Sequence, residues 1–260
     1  MIKAINSKYS HISRQISQVL EDEHFCREGQ LMHSGRNTVK LFSVGGADVV
    51  VKRYGRITLF NRFMYATLRK SKAQRAYENA CRLRLLGINT PEEIAYAERR
   101  RGLTITSCSV ITLFSDWQPM TFLADYRFGD TDTEILLDAL TVWIISLHDK
   151  GVEHQDLNIG NILYRKEHDG RYSFQIIDIN RMRFRKSMTL NKRLKNLCRL
   201  SLNTDLTNYI LRRYAELNHQ DHDHVVIQGF LYKGLFELRQ TAKREIRKFR
   251  RPRHSDSATA

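Results

Sequence analysis

The stretch HQDLNIGN, residues 154–161, places an aspartate and an asparagine five positions apart in a polar turn that follows a long helical pattern. Asp156 can orient or accept the proton of an attacking hydroxyl, and Asn161 offers a hard oxygen of the kind that Mg²⁺ takes as a ligand. His154 is a candidate for bonding the backbone of this turn. An Asp-x-x-x-x-Asn spacing alone is weak evidence, because well-capped surface turns also have it. The interpretation therefore depends on the residues that surround this loop.

Two charged residues stand at the ends of apolar strand patterns on either side of the loop. Lys52 ends the run Val49–Lys52, and Asp178 follows the run Phe174–Ile177. Phosphoryl transfer needs positioning and charge neutralisation more than covalent chemistry, so these residues can supply a phosphate-binding cation and a second metal ligand. Glu78, on the helical pattern after the lysine strand, is the candidate for holding the Lys52 ammonium in place. Together these residues predict a site for ATP and Mg²⁺.

The part of the chain before residue 115 has the pattern of strands with one long inserted helix. An amphipathic helix near residues 12–20 is followed by β-rich runs that end at polar or glycine-containing turns. The helix of residues 71–86 has one apolar face, and Gly87 ends it. The predicted strands cover residues 30–33, 39–44, 47–54, 94–97 and 104–114.

The rest of the chain has mainly helical periodicity. The clearest helix covers residues 131–150, with Asp132 or Thr133 as its N-terminal cap. Two short strands, 162–164 and 174–177, flank a hairpin turn. Helical periodicity then resumes and continues to a basic tail. A run of strands followed by a run of helices predicts the α+β fold class.

The composition excludes several other classes of protein. The chain has 260 residues, 42% of them apolar, which is typical of a soluble globular protein. No apolar run approaches the roughly 20 residues needed to span a bilayer, and the N-terminus lacks the apolar core of a secretory signal, so we expect a cytoplasmic location. The four cysteines are widely spaced, which gives no support to a zinc site or a disulfide framework.

The net charge of +15, from 43 lysines and arginines against 28 acidic residues, favours an anionic partner. A phosphorylated substrate, an anionic membrane surface and a nucleic acid would all satisfy it, and the charge alone does not choose among them. The chain has no recognisable nucleic-acid-binding motif, so we expect no nucleic-acid partner.

Several segments resemble a known family. HQDLNIGN resembles the kinase catalytic loop HRDxxxxN, VVVKRY resembles the VAIK strand, and Ile176-Ile-Asp178 resembles the metal-binding DFG strand. The wider context, from about Gly29 to about Leu202, is similar to the lipopolysaccharide kinase family, the Kdo/WaaP group. The segments that carry this similarity are VVVKRY, RKSKAQRAYENACRL, LGINTPEEIAY, HQDLNIGNILY and IIDINRMRF.

The resemblance implies a bilobal protein-kinase-like fold, with a β-rich N-terminal lobe and a mostly helical C-terminal lobe. It assigns Lys52 to the nucleotide phosphates, with Glu78 as its helix partner, Asp156 as the catalytic aspartate, and Asn161 and Asp178 as Mg²⁺ ligands. Glu92 and Glu93, the next carboxylates along the chain, are the alternatives to Glu78. Members of this family use ATP to phosphorylate inner-core sugars of lipopolysaccharide, such as Kdo or heptose. The expected acceptor is therefore lipid A-linked core oligosaccharide. The expected location is peripheral, at the cytoplasmic face of the inner membrane, with its anionic surface as a partner.

The expected domain boundaries follow from the patterns and the resemblance together. Residues 1–24 form an N-terminal helical extension, 25–114 the N-terminal lobe, 115–242 the C-terminal lobe, and 243–260 a basic, disordered tail. The sequence predicts no oligomeric state.

The chain departs from the protein-kinase pattern at several positions. No G-x-G-x-x-G precedes the strand lysine, and Gly35 is the only glycine in the first hairpin turn, which makes it the candidate for contacting the nucleotide. Asn158 stands where protein kinases favour lysine and is a candidate substrate contact, and no APE motif follows Asp178. Arg181 and Arg183 would border the acceptor and could bind an acidic sugar. These departures favour a sugar acceptor, with a protein kinase of the same fold and a catalytically inactive pseudokinase as the alternatives.

Overall fold

A six-stranded antiparallel sheet forms most of the N-terminal lobe. The computed structural model describes residues 1–55, 69–102 and 104–249, with side chains as far as residue 246. The strands of the sheet are β1 (Ile2–Ile5), β2 (Gln30–Ser34), β3 (Asn37–Val44), β4 (Ala47–Tyr54), β5 (Glu93–Arg101) and β6 (Thr104–Leu113). They are ordered β1-β5-β6-β4-β3-β2. The predicted strands of this lobe are present, and β1, which was not predicted, adds an edge strand next to β5.

The N-terminal segment covers one face of this sheet. A 3₁₀ turn (Ser7–Ile12), α1 (Ser13–Val19) and α2 (Asp22–Arg27) follow β1. Apolar side chains of these elements and of the sheet form one buried cluster: Tyr9, Ile12, Ile16, Val19, Leu20, Phe25, Phe42, Val44, Val49, Val51, Ile94, Ala95, Ala97 and Ile111. Residues 1–24 thus contribute a strand and core side chains to the lobe, in addition to the predicted helix, and this burial stabilises the sheet.

One helix lies against the opposite face of the sheet. This helix, α3 (Lys72–Leu85), begins after Ser71, whose hydroxyl accepts a hydrogen bond from the Gln74 N–H at 3.1 Å. It ends before Gly87, whose φ of +66° is the left-handed conformation that favours glycine. Its buried face consists of Ala73, Ala76, Ala80 and Leu83. These side chains belong to a core that continues into the C-terminal lobe.

Helices form most of the C-terminal lobe. They are α4 (Thr131–Asp149), α5 (Leu190–Leu197), α6 (Thr204–Leu217) and α7 (His222–Phe249). Short strands accompany them: β7 (Gln118–Pro119), β8 (Val152–His154), β9 (Ile162–Lys166), β10 (Tyr172–Ile176) and β11 (Met182–Phe184). β9 pairs with β7 and β10, and β8 pairs with β11. A sheet-rich lobe followed by a helical lobe confirms the predicted bilobal α+β fold.

Two boundaries differ from those predicted. The N-cap of α4 is Asp130, which accepts hydrogen bonds from the Thr133 N–H at 3.3 Å and from the Thr133 hydroxyl at 2.5 Å. The cap therefore precedes both predicted candidates, because a cap must lie before the first helical residue. At the other end of the chain, α7 continues to Phe249, so residues 243–249 of the predicted tail are helical. Residues 250–260 of that tail lie outside the described residues.

A buried hydrogen-bond network joins three helices to β8. Nδ1 of His148 lies 2.9 Å from the Tyr214 hydroxyl, and its Nε2 lies 3.3 Å from Oδ1 of Asn196. Asn196 Nδ2 donates to the His154 carbonyl at 2.7 Å. This arrangement suits a neutral imidazole in which Nε2 donates and Nδ1 accepts. Burial lowers the pKa of His148 to about 4, although the bond to Asn196 opposes the shift.

We expect acid to destabilise the protein through His148. Because its pKa is depressed in the folded state, the unfolded chain binds more protons below a pH of about 6.5, and stability is lost as the pH falls further. Between about pH 7 and about pH 5, this group should lower the free energy of unfolding by ~2 kcal/mol. Urea unfolding at both pH values should show a loss that is smaller by this amount in His148→Gln than in the wild type, the remainder including the contribution of His154, whose pKa burial also lowers. Exposed His222→Gln should keep the loss, and an equal loss in all three proteins would contradict the role of His148.

Candidate active site

A cleft of about 720 Å³ lies between the two lobes. Apolar side chains of both lobes line it: Val39, Val50, Val110, Leu163 and Ile177. The volume is in the range of small-molecule and cofactor sites, which are mostly apolar with a few polar groups. Lys52, Asn161 and Asp178 are polar groups of this lining. The cleft can hold a flat apolar base with a charged extension toward these three residues.

Lys52 and Asp178 form an ion pair in the cleft, with Nζ and Oδ1 2.6 Å apart. Strand alternation turns Lys52 toward the cleft, because the adjacent Val51 is buried on the opposite face of the sheet. Asp178 has φ of 54° and ψ of 42°, a left-handed conformation that aspartate tolerates better than most residues and that is frequent at functional sites. Burial acts to raise the pKa of Asp178, but the charge and hydrogen bond of Lys52 outweigh it and hold that pKa below its ordinary value.

His154 holds the loop of residues 154–161 through both ring nitrogens. Nε2 lies 3.1 Å from the Ile177 carbonyl, and Nδ1 accepts a hydrogen bond from the Asp156 N–H at 3.2 Å. Nε2 must therefore carry the proton, as in a neutral imidazole. Burial lowers the pKa of His154, which favours this neutral form. Because Ile177 immediately precedes Asp178, His154 ties the loop to the strand end that carries the second carboxylate.

Asn161 is bonded to the loop and to the neighbouring strand. Its Nδ2 donates to the Asp156 carbonyl at 2.8 Å, and its own carbonyl accepts from the Ile177 N–H at 3.0 Å. The carboxylate of Asp156, by contrast, makes no hydrogen bond or ion pair with any residue that the structure describes. Backbone and amide groups therefore hold the loop, and the Asp156 carboxylate is free to meet a hydroxyl.

Each candidate metal ligand has one side-chain oxygen without a partner among the described residues: Oδ1 of Asn161 and Oδ2 of Asp178. Oδ1 of Asp178 is occupied by Lys52 and by Asn180 Nδ2, at 2.7 Å. The free pair fits Mg²⁺, which takes one or two protein oxygens and completes its shell with substrate phosphates and water. In these ranges no group of three or more His, Cys, Asp or Glu side chains could hold a metal ion.

Glu78 does not meet the lysine of β4. Its carboxylate binds Nζ of Lys70 at 2.7 Å and Nε2 of Gln74 at 3.0 Å. Ala76 and Ala80, two positions to either side and so about 200° away around the helix, line the cleft instead. The expected lysine–glutamate pair is therefore not formed in this structure, because the phase of α3 turns Glu78 away.

Gly35 and Asn158 serve the local backbone. The Gly35 N–H donates to the Asn37 carbonyl at 3.2 Å in the β2–β3 turn, and Gly35 is not among the described residues that line the cleft. Asn158 donates through Nδ2 to the Asp156 carbonyl at 2.9 Å and accepts through Oδ1 from the Gly160 N–H at 3.0 Å. Both ends of its amide are occupied within the loop, so the structure gives Asn158 a scaffolding role.

A second cavity, of about 270 Å³, adjoins the cleft at the loop. Its charged lining residues are two carboxylates and five cations: Asp156, Asp178, Arg36, Arg69, Lys72, Arg75 and Arg181. We call this cavity the cationic pocket. Arg181 thus lies in the same cavity as Asp156, whereas Arg183 is exposed on β11 and lines neither cavity. With the Gln155 amide oxygen turned toward it, Arg183 Nε donates to Gln155 at 2.8 Å.

Sequence reasoning missed Arg36, Lys72 and Arg75. Residues 69–75, RKSKAQR, are visibly basic in the sequence. Arginines in turns and lysines on helices are usually ordinary surface residues, however, and only the packing of the two lobes shows that these line one cavity. The sequence offered Glu93 only as an alternative carboxylate for Lys52, without a place in the site. Glu93 lines the cleft at the start of β5, is only 1% exposed, and pairs with Arg84.

Comparisons with known proteins identify the family of the chain. The model described as the lipopolysaccharide kinase (Kdo/WaaP) family matches residues 11–220. A search of curated proteins gave no match. A solved structure of WaaP in complex with acyl carrier protein is similar with a TM-score of 0.60 and 16% identity, covering 94% of this chain and 98% of that chain, which shows a shared fold. On the family match, which covers well over half of its residues, the chain belongs to the lipopolysaccharide kinase (Kdo/WaaP) family.

Proposed function

We propose that this protein transfers the γ-phosphoryl group of ATP to a hydroxyl of an inner-core sugar of lipopolysaccharide, Kdo or heptose. Family membership makes it a phosphotransferase of the lipopolysaccharide kinase type. The observation that carries the proposal is the Lys52–Asp178 pair beside the loop that holds Asp156 and Asn161. A cation, two free ligand oxygens and an unpaired carboxylate are the parts that phosphoryl transfer needs.

Each residue has one task in this proposal. Asp156 orients or accepts the proton of the acceptor hydroxyl, whose oxygen then attacks the γ-phosphorus. Lys52 neutralises charge on the nucleotide phosphates. Asn161 and Asp178 would hold Mg²⁺, which supplies further charge neutralisation at the phosphate oxygens when it is bound. His154 keeps the loop in place and takes no part in proton transfer, because both of its nitrogens are already engaged.

The acceptor that we propose is lipid A-linked core oligosaccharide, which would place the protein peripherally at the cytoplasmic face of the inner membrane. The net charge of +15 supports an anionic membrane surface as a partner. Within the described ranges, no helix has both the length and the apolar character needed to cross a bilayer.

Incubation with radiolabelled ATP and isolated core glycolipid tests this function against a protein kinase of the same fold. We expect label in the glycolipid, none in generic protein substrates, and no labelling after chelation of divalent metal. Label entering only protein would contradict the sugar acceptor, and no label in either substrate would favour the inactive pseudokinase. Mass spectrometry of lipopolysaccharide core from a strain without this protein should show the loss of one phosphate.

We expect Asp178→Asn and Glu78→Gln to differ widely in their effect on turnover. Asp178→Asn removes the charge facing Lys52 and weakens a metal ligand, so kcat/KM should fall about 100-fold or more. Glu78→Gln alters a partly exposed carboxylate that binds Lys70 and Gln74, so kcat/KM should stay within about threefold. Initial rates with ATP and core glycolipid measure both effects. Similar large losses would show that Glu78 reaches Lys52 in the working enzyme.

A further inference from the structure

The cationic pocket holds more positive charge than its two carboxylates can balance. Arg36 comes from the β2–β3 turn, Lys72 and Arg75 from the first turn of α3, and Arg181 from the turn that follows Asp178. None of these four cations forms an ion pair with any residue for which the structure gives a position. Three separate segments therefore bring unpaired positive charge to one cavity.

Two details indicate that the two carboxylates leave positive charge in this cavity uncompensated. The buried Nε of Arg75 has no hydrogen-bond partner among the described residues. Burial, with the neighbouring charges of Arg36, Arg75 and Arg181, lowers the pKa of Lys72. Like charges at close range disfavour one another, and an anion in the cavity would relieve that repulsion.

The position of the pocket indicates the acceptor rather than the nucleotide. Lys52 and the apolar walls belong to the larger cleft, whereas Lys72, Arg75 and Arg181 line the smaller cavity and not the cleft. The unpartnered carboxylate of Asp156 also lines the smaller cavity. A molecule in this cavity can therefore bring a hydroxyl to Asp156, next to Asp178, which lines both the cavity and the cleft.

We propose that the cationic pocket binds an anionic group of the acceptor, a carboxylate or a phosphate, and thereby places the acceptor hydroxyl beside Asp156. This inference rests on the proposed function. Arginine forks and a lysine ammonium bind such groups through charge-assisted hydrogen bonds. The pocket then selects acceptors that carry negative charge near the reacting hydroxyl, and a neutral sugar binds poorly.

The single variants Lys72→Gln and Arg181→Gln, with exposed Arg101→Gln as a control on β5, test the pocket. Each pocket variant should raise the KM for core glycolipid about tenfold or more, because a charge-assisted hydrogen bond is lost. The KM for ATP should stay within about twofold, and the melting temperature should not fall, since a repelling charge is removed. Arg101→Gln should match the wild type. A rise in the KM for ATP with an unchanged KM for glycolipid would overturn the proposal.

Modified acceptors identify the group that is bound. One acceptor is core glycolipid with its carboxyl groups reduced to alcohols, and the other is core glycolipid with its phosphates removed. The wild type should bind the acceptor that lacks the recognised group as weakly as Arg181→Gln binds native glycolipid. Arg181→Gln should bind that modified acceptor only a little more weakly still, because both changes remove the same contact. If the wild type uses both modified acceptors as well as the native one, the inference is wrong. Failure of the wild type to phosphorylate any glycolipid would instead contradict the proposed function.

A second surface, on α7, has its apolar residues outside. Between residues 227 and 238, the exposed positions are all apolar or glycine: Ile227, Leu231, Gly234, Leu235 and Leu238. The four large side chains, which we call the apolar stripe, are 49% to 69% exposed. Lys233 is only 5% exposed, and its ammonium contacts the Ser201 carbonyl and Glu237. Between residues 227 and 238 this helix therefore departs from the usual pattern of a surface helix, in which charged side chains face the solvent.

Cations follow the apolar stripe along the same helix. Arg239, Lys243 and Arg244 are exposed there together with one acidic residue, Glu245, and Ile246, at 52% exposure, extends the line of apolar side chains. From Ile227 to Ile246 this face is ~28 Å long, at about 1.5 Å of rise per residue. Two copies docked through this face would bring like charges together on a protein of net charge +15. An anionic bilayer surface offers apolar chains for the stripe and negative charge for the cations.

We infer that α7 docks on an anionic membrane surface, with the apolar stripe in the headgroup region and the following cations against the lipid phosphates. The helix lies in the plane of the interface and does not cross the bilayer. This inference stands on the exposure pattern of α7 and is independent of the acceptor.

Sedimentation with lipid vesicles tests the membrane contact. The combined variant Leu231→Gln, Leu235→Gln and Leu238→Gln is compared with a control in which Leu85→Gln and Leu202→Gln change leucines that are 87% and 75% exposed elsewhere. Wild type and control should sediment with vesicles of phosphatidylglycerol and phosphatidylcholine in roughly equal parts, and the stripe variant should bind about tenfold more weakly.

Three results would overturn this membrane inference. The first is that the wild type remains in the supernatant with the anionic vesicles. The second is that the stripe variant binds them as strongly as the control does. The third is that the wild type is a dimer and the stripe variant a monomer, while neither protein binds vesicles. That result would assign the apolar stripe to contact with a second copy. Melting temperatures close to that of the wild type verify that the variants are folded.

Discussion

Asp156→Asn should lower kcat for phosphoryl transfer by about a thousandfold, while ATP binding and the melting temperature stay close to wild-type values. The amide keeps the shape of the side chain but cannot accept a proton from the acceptor hydroxyl. Stability should be retained, because the Asp156 carboxylate has no partner among the described residues. The bonds that hold the loop come from its backbone groups, through His154, Asn158 and Asn161.

Initial rates with saturating ATP and core glycolipid give the kcat ratio, and calorimetric titration with Mg²⁺-ATP gives the nucleotide affinity. The matched control is Asp169→Asn, which makes the same chemical change in the exposed β9–β10 turn and should retain full activity. A loss of kcat smaller than about tenfold would assign the proton transfer to another group. A parallel loss of ATP affinity would place Asp156 in nucleotide binding rather than at the acceptor.

Gly151→Ala should lower the free energy of unfolding by ~3 kcal/mol or more. Gly151 joins α4 to β8 with φ of +69°, and an added Cβ would lie 2.0 Å from the Arg185 carbonyl oxygen. Its own carbonyl accepts from the Arg185 N–H at 2.8 Å. The obstacle is backbone rather than a flexible side chain, so β8 and β11 would have to move apart. Because β8 ends at His154, the same displacement should reduce activity.

Gly170→Ala is the matched control for this prediction. Gly170 has a comparable φ of +82°, but an added Cβ there meets nothing within 4 Å. The substitution should therefore incur only the cost of the left-handed backbone, ~1 kcal/mol. Urea unfolding of the three proteins separates the two contributions. Equal losses for Gly151→Ala and Gly170→Ala would mean that conformation alone, and not the contact with Arg185, makes glycine necessary at position 151.

Local patterns in the sequence were enough to predict most of the secondary structure. The β-branched residues of β4 predicted a strand with Lys52 late in it, and Ser71 with Gly87 predicted the limits of α3, because strand composition and helix caps depend on near neighbours. The strand β1 was not predicted. Its four residues have no distinctive pattern, and three of them pair with residues 95–97, ninety or more positions along the chain. Such pairing leaves no local signal.

The sequence by itself determined the residue types of the site and the elements that carry them: the loop with Asp156 and Asn161, the strand that carries Lys52, and Asp178 after a second strand. Only the tertiary structure decided which of these meet. Lys52 lies 126 positions from Asp178, its partner, whereas Glu78, on the nearer helix, faces away. The physical reason is that periodicity defines a face within each element but not how that face is rotated against another element. Packing of α3 on the sheet, and of the two lobes on each other, determines that rotation. The same packing brings cations from three segments into one pocket beside Asp156.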